Sequence, residues 1–305
     1  MTDHLRFVLS LMTQENDYQM EEASEAERIC RELGIELQVL YADNDAVRQS
    51  QQLLDEILTK GDRPNAIIVQ PVGTSLLQVA HAATHAGIGW AVLNREVEYL
   101  EDLRREKRAP AFEVVTDNVE IGRIQGRQLS ALLPNGGRVL YIEGPASNPA
   151  AQQRKQGVLE LKPANIELRS VRSSQWDRGH VVTAIEAWLR LSTSHDVKYD
   201  LIAAQSDTLA MGVRDAIDSM SNPAERSYWK QLQLLGCDGS KGSGEVWVNK
   251  GLLRATVRRP ILAGKAITLM QRALSGQEVD GHTLLIPESY PDLNTLKPLT
   301  QLAHT

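Results

Sequence analysis

The chain is short of aromatic residues, short of cysteine and without a long apolar run, and each shortage excludes something. Phe, Trp and Tyr make up 5% of its 305 residues, with only two Phe, so every Trp and Tyr stands out. The two cysteines, Cys30 and Cys237, lie far apart and give neither a disulfide framework nor a metal spacing. Reduced, buried thiols are the expectation. The seven histidines offer no metal-ligating spacing either, so neither a metal nor a cofactor is expected. No run reaches the roughly 18 apolar residues of a membrane span, and membrane insertion is not expected. The N-terminus MTDHLRFVLSL has no basic n-region, long h-region and small-residue cleavage site. As written the chain is expected in the cytoplasm, or in the periplasm if a natural N-terminus has been removed. A net charge of −6 lacks the basic excess of a general nucleic-acid binder.

Catalytic motifs are missing too. There is no nucleophile elbow, phosphate-binding loop with its lysine, or dinucleotide fingerprint. The nearest stretch, GSKGSG at Gly239 to Gly244, lacks the spacing and reads as a flexible loop after Asp238. The chain is therefore not expected to be an enzyme.

What is present is alternation. Phe7 to Leu11, Glu36 to Leu40, Ala66 to Val69 and Trp90 to Leu93 read as strands buried on both faces. Between them Tyr18 to Leu33, Val47 to Thr59 and Ser75 to Ala86 carry helical spacing, the first ending at Gly34 and the last at Gly87. The charge cluster at Glu98 to Pro110 reads as a solvated loop or short helix. Further strands are expected at Phe112 to Val115, Arg138 to Ile142, Glu167 to Val171, Leu201 to Ala204, Gln233 to Leu235 and Arg254 to Val257. Helices between them include Asp177 to Leu191 and Thr208 to Met220. Repeated βαβ units make an α/β fold of two doubly wound parallel-sheet lobes joined near Thr116, each of roughly 150 residues. One oddity is the segment TDNVEIGRIQGRQL. Its helix carries Gly122 and Gly126 one turn apart, although each glycine costs a helix interior about 1 kcal/mol relative to alanine.

In open parallel sheets, ligands bind beyond the carboxyl ends of the strands. Polar residues recur there: Gln14, Glu15, Asn16, Asp17 and Tyr18 after the first strand, then Asn94, Arg95 and Glu96 after the fourth. In the second half come Arg154, Ser206 with Asp207, Asp238, and the Arg258–Arg259 pair, with Trp176 at a strand-to-helix corner before Asp177. Taken singly each has a plainer role. Asp117, Asp177 and Asp207 suit helix caps, Asn94 and Asp238 suit turns, the arginines suit a solvated surface, and Trp176 suits a core. Their recurrence at strand after strand is what a cleft between two lobes produces. The chemistry suits a polyol: carboxylates, amides and forked guanidinium donors for vicinal hydroxyls, and a flat ring for a sugar's C–H face.

The order TDNVEIGRIQG, AAQSDTLAMGVRDAI, LLGCDGS and KGLLRATV resembles the type I periplasmic binding proteins and the effector domains of lac-repressor-type regulators, ribose binders most of all. The resemblance covers roughly Arg6 to Ile286. It implies two lobes joined by a multi-crossing hinge, one of residues 1–115 plus 260–286, the other of 117–258 plus 287–305. It implies a sugar-binding protein of the ABC-transporter solute-binding type, closing on a monosaccharide or sugar derivative. The alternative is a sugar-sensing effector module without a DNA-binding headpiece, since the first strand leaves no room for one. The site it implies has Asn16 in the first loop, Tyr18 as a stacking ring, and Gln19 where a second aromatic stands. Asn94 replaces a hydroxyl-binding aspartate, Arg95 follows it, and Arg154 opens a second-lobe helix. Trp176 replaces a stacking phenylalanine, Ser206 an asparagine, and Arg259 (or Arg258) a glutamine, while Asp238 is the aspartate of the DG loop. The pocket is thereby more positive than a ribose site, so an anionic ligand such as a sugar acid or sugar phosphate stands behind a neutral sugar. The protein partners implied are a transporter permease or a signalling partner. The family holds monomeric carriers and dimeric regulators, so a homodimer is one alternative. The glycines of the TDNVEIGRIQG helix are expected to let it lie against a neighbouring backbone.

Overall fold

The computed structural model describes residues 5–59, 61–73, 76–191 and 197–299, so Ser75, the expected start of the third helix, lies outside the described residues. The chain divides into two units, Met1–Thr116 with Pro260–Leu285, and Asp117–Arg259 with Ile286–Thr305. It passes from one to the other after Thr116, Arg259 and Leu285.

The first unit begins with β1 (Arg6–Leu11), α1 (Asp17–Leu33), β2 (Glu36–Tyr41), α2 (Ala46–Leu58), β3 (Ala66–Val69), α3 (Leu77–His85), β4 (Gly89–Leu93), α4 (Leu100–Glu106) and β5 (Ala111–Thr116). The second unit follows with α5 (Asn118–Leu132), β6 (Gly137–Glu143), α6 (Pro149–Leu161), β7 (Ile166–Arg172), α7 (Arg178–Leu189) and β8 (Leu201–Ala204). It continues with α8 (Asp207–Asp218), α9 (Pro223–Gln231), β9 (Gln233–Leu235), α10 (Gly244–Asn249) and β10 (Thr256–Arg258). The chain then returns to the first unit for α11 (Ala263–Leu274) and β11 (His282–Leu285), and to the second for β12 (Glu288–Tyr290).

The first unit's sheet is parallel, in the order β11-β5-β4-β3-β1-β2. Its central strands are continuous apolar runs because both faces are covered: Phe7, Leu9, Ile68, Leu93 and Phe112 pack under α1 and α11, while Val8, Ile67, Val69 and Trp90 pack on the other side. β2 departs from expectation. It is an edge strand, and Glu36 to Tyr41 are exposed or only half-buried rather than buried on both faces. The charge cluster resolves into helix α4, which buries Leu100 and Leu103 and leaves its arginines and carboxylates in water.

Two sequence-distant helices are tied by one carboxylate. The first turn of α11 has no side-chain cap of its own. Glu22 of α1, fully buried, instead accepts from the backbone N–H of Leu262 (3.0 Å) and Ala263 (2.7 Å), a negative charge on the positive end of the helix dipole. Replacing Glu22 with Ala strands those donors and is expected to destabilise the protein by about 2–3 kcal/mol, read as a lowered urea midpoint. Glu22→Gln, which keeps an acceptor, should lose less. An unchanged midpoint for Glu22→Ala would remove this carboxylate from the stabilising set.

The second unit's parallel sheet runs β7-β6-β8-β9. The strand expected at Arg254 to Val257 starts two residues later, at Thr256, ends at Arg258 and does not continue that sheet as a full strand. It pairs antiparallel with β12, touching the parallel sheet through the bridges Leu235–Ala255 and Asp238–Arg258. Asp117 caps α5 by accepting from Glu120 N (2.8 Å), and Asp177 caps α7 by accepting from His180 N (3.0 Å). For α8 the cap is Ser206, whose Oγ accepts from Leu209 N, rather than Asp207.

The glycines of α5 meet α6. A Cβ on Gly122 would lie 2.0 Å from the Arg154 carbonyl oxygen, and one on Gly157 would lie 1.9 Å from that of Val119. The two backbones touch through paired glycines, which is why the helix tolerates their cost. Both cysteines are buried and free of disulfides, and burial pushes each thiol up to about 12, leaving almost no reactive thiolate. Among the described residues no helix is long and apolar enough to cross a membrane.

Candidate ligand-binding site

In the second unit four of the expected residues come together. Arg154, on the first turns of α6, is 2% exposed. Its Nε donates to Asn118 Oδ1 (3.1 Å), a short hydrogen bond joins Nη1 to the Gln205 carbonyl, and Nη1 lies 3.8 Å from Asp238 Oδ1. Arg259 Nη1 donates to the same Oδ1 at 2.9 Å. Both charge contacts thus fall on one oxygen of Asp238. The guanidinium of Arg154 sits 5.4 Å from the centre of the Trp176 ring, within cation–π range. That indole packs against Gly144, where a Cβ would come within 2.3 Å of it.

The backbone beneath is built to hold this group. Asp238 has φ of +121°, a conformation L-residues rarely adopt. Its N–H donates to the Val257 carbonyl and its own carbonyl accepts from Arg259 N, fixing both acid and arginine. Asp207, expected as a cap, has a different task. Its carboxylate accepts from Gly239 N and Thr256 Oγ1, both at 2.7 Å, and so ties the Asp238 loop to β10. A Cβ on Gly236 or Gly244 would fall 1.9 and 2.1 Å from that carboxylate. GSKGSG is therefore no loose loop: Ser240 and Ser243 are buried and Gly244 starts α10. Ser206, 1% exposed, sits beside the Gln205 carbonyl that Arg154 engages. Gln205 itself, fully buried, accepts from Gly144 N and donates to the Ala151 carbonyl. Asn118 and Gln205 escaped the sequence reading, because nothing in spacing distinguishes a supporting amide from a core one. Asp207 carried a signal, in the glycines at 236 and 244.

In the first unit the expected residues occupy two strand ends. Asn16 caps α1, its Oδ1 accepting from Gln19 N at 3.3 Å. Tyr18 is 2% exposed, and its hydroxyl donates to the Pro260 carbonyl at 2.9 Å. Gln19 accepts from Met12 N and donates to Gln70 Oε1. Tyr18 and Gln19 thus hold the β1–α1 turn in place. Beyond β4, Asn94 takes φ of +61° while its N–H donates to the Val114 carbonyl. Arg95 donates to the Gly73 carbonyl, and burial pulls its guanidinium below the ordinary value.

Two findings lie outside the expected set. A hollow of about 490 Å³ in the second unit is bordered by Glu143, Ala151, Lys155, Leu159 and Arg172, and none of the expected site residues lines it. Although burial pushes Glu143 up, hydrogen bonds from Lys155, Ser170 and Arg172 hold its carboxyl below the usual range. The reading that the histidines lack a metal spacing does not stand. His81 and His85 are one turn apart on α3, and Glu106 joins them; the helical i, i+4 interval was the signal.

Polar groups thus gather at the carboxyl ends of parallel strands, held by other buried polar groups, which is where open parallel sheets take their ligands. The periplasmic binding protein domain pattern matches residues 7–278. The chain belongs to that family, as a solute-binding protein rather than a catalyst. Among its relatives is a putative rhizopine-binding protein of Rhizobium meliloti, 30% identical over 189 residues, 60% of this chain and 58% of that protein. The ribose import binding protein of Bacillus subtilis is 24% identical over 264 residues, 85% of this chain and 78% of the other. Of solved structures, a periplasmic solute-binding protein of Actinobacillus succinogenes with bound D-allose superimposes with a TM-score of 0.80 at 20% identity, covering 95% of this chain and 98% of that one. A Caulobacter myo-inositol-binding protein gives 0.76 at 20% identity, covering 95% and 94%. Both show the same two-unit α/β fold.

Proposed function

We propose that this protein binds a monosaccharide or a closely related ring polyol, and that Arg154, Trp176, Asp238 and Arg259 make its contacts in the second unit. The observation that carries the reading is the single carboxylate shared by two buried guanidiniums beside an indole. With both arginines on Oδ1, Oδ2 of Asp238 is the lone-pair site assigned to a ligand hydroxyl. The remaining N–H groups of Arg154 suit hydroxyl oxygens, and the indole suits a ring's C–H face. Asn94 and Arg95 are the polar groups assigned to the ligand in the first unit. Because Asp238 offsets one of the two positive charges in the second unit, that part of the site favours a neutral polyol over a sugar acid or sugar phosphate. The names of the relatives agree in kind: rhizopine, ribose, D-allose and D-apiose. As a binder with import proteins among its relatives, the protein is assigned a membrane permease as partner.

The test is a thermal-shift panel of D-ribose, D-allose, D-apiose and myo-inositol beside uronic acids and sugar phosphates. A ligand at about 100 times its Kd stabilises the native state by about 2.7 kcal/mol, a rise of several degrees. A response confined to the anionic members would overturn the neutral reading. Silence across the whole panel would sink both.

A further inference from the structure

His81 and His85 project from one face of α3, and Glu106 closes α4. His85 Nε2 lies 2.9 Å from Glu106 Oε2, His81 Nδ1 lies 3.7 Å from Oε1, and one ligand atom from each residue falls within 4.8 Å of the others. The imidazoles stand edge to face, centroids 5.9 Å apart. A simple ion pair accounts for His85 and Glu106 but not for a second imidazole turned to the other carboxylate oxygen. Arg108, with Nε 3.5 Å from Glu106 Oε2, is the one further cation on this carboxylate among the described contacts, and it competes for it.

We propose that His81, His85 and Glu106 form a binding site for a divalent first-row transition ion, with Zn2+ as the representative. Two imidazoles and a carboxylate are the donors that suit zinc, nickel and copper rather than magnesium or calcium. Bonds of about 2.0–2.2 Å place neighbouring donors of a tetrahedral ion about 3.3 Å apart. Half-exposed side chains reach that spacing by small rotations, because His81, His85 and Glu106 are 28%, 50% and 36% exposed. The ion replaces the proton between His85 and Glu106, and water completes its coordination. Bound there, it ties the end of α3 to the end of α4 within the first unit. None of the residues assigned to the sugar takes part, so the site stands or falls separately from that reading.

The experiment is calorimetric titration of the full chain with Zn2+ in chelator-free buffer near neutral pH, paired with Co2+ absorption spectroscopy. One ion per chain is expected, with an absorption band of low-coordinate Co2+. His81→Gln and His85→Gln should each weaken binding about tenfold or more, since each removes one of three ligands. Zn2+ should raise the melting temperature of the parent and not of the His81→Gln/His85→Gln double variant. Both substitutions are on the surface, and a far-ultraviolet melt without metal verifies the fold. Absence of saturable binding at millimolar Zn2+ overturns the proposal. So does one-to-one binding that survives unchanged in the double variant, which would place the ion on other histidines.

Discussion

Gly122→Ala is expected to destabilise the second unit by about 2–4 kcal/mol, although alanine is the better helix former by about 1 kcal/mol. Packing decides the sign. The new methyl would lie 2.0 Å from the Arg154 carbonyl oxygen and 2.8 Å from Val158 N. Both are backbone atoms of α6, so relief requires the helices to part along their length. That movement displaces Arg154 as well, and sugar binding should weaken with stability. Gly157→Ala is the reciprocal case, with its methyl 1.9 Å from the Val119 carbonyl oxygen. Gly126→Ala is the milder comparison, its nearest atoms being Leu161 C and Lys162 N at 3.1 Å. Urea unfolding of the three variants checks the order. A Gly122→Ala protein as stable as the parent would mean that the glycines are not what seats α5 on α6.

The loss expected from Asp238→Ala is larger still. It leaves Arg154 and Arg259, 2% and 6% exposed, without the carboxylate that holds both. Uncovering a buried charge in this way costs about 3–5 kcal/mol, while the new alanine inherits a φ of +121° that suits it poorly. Asp238→Gly relieves the backbone but not the charges, so the difference between the two variants measures the strain alone. Asp238→Asn keeps shape and one acceptor and should lose less than Asp238→Ala. Denaturant midpoints check stability, and calorimetry with a sugar from the thermal-shift panel checks affinity. A stability loss below about 1 kcal/mol for Asp238→Ala would show that the arginines are solvated or otherwise matched.

The fold was legible where both faces of a strand are covered. Ala66 to Val69 and Leu201 to Ala204 are four-residue apolar runs, and the strands found there have those same ends. Where one face meets water the signal thins: Val39 and Leu40 outweigh Glu36 and Gln38, so β2 reads as buried on both faces when it is not. β10 was misplaced because its partner, β12, comes from a distant part of the chain. At the site, the strand ends pointed to where polar residues gather, since that follows from topology. Which of them touch does not. Asp207 and Asp238 look alike in sequence, yet one braces a loop through Gly239 N and Thr256 Oγ1 while the other is shared between two arginines. Such a difference depends on backbone paths that meet across long stretches of chain, beyond the reach of local spacing.

The carboxylate of Glu22 waits on partners 240 residues away. On the ribosome, α1 therefore emerges long before the helix it caps. At typical elongation rates the delay is on the order of tens of seconds, during which β5 also lacks β11 beside it. Residues 117–259 are synthesised in the meantime, so the β7-β6-β8-β9 sheet of the second unit can form before the first unit's sheet is complete. Nascent chains halted shortly before Leu262 should accordingly carry an α1 open to proteases, a vulnerability that ends once the return segment clears the exit tunnel.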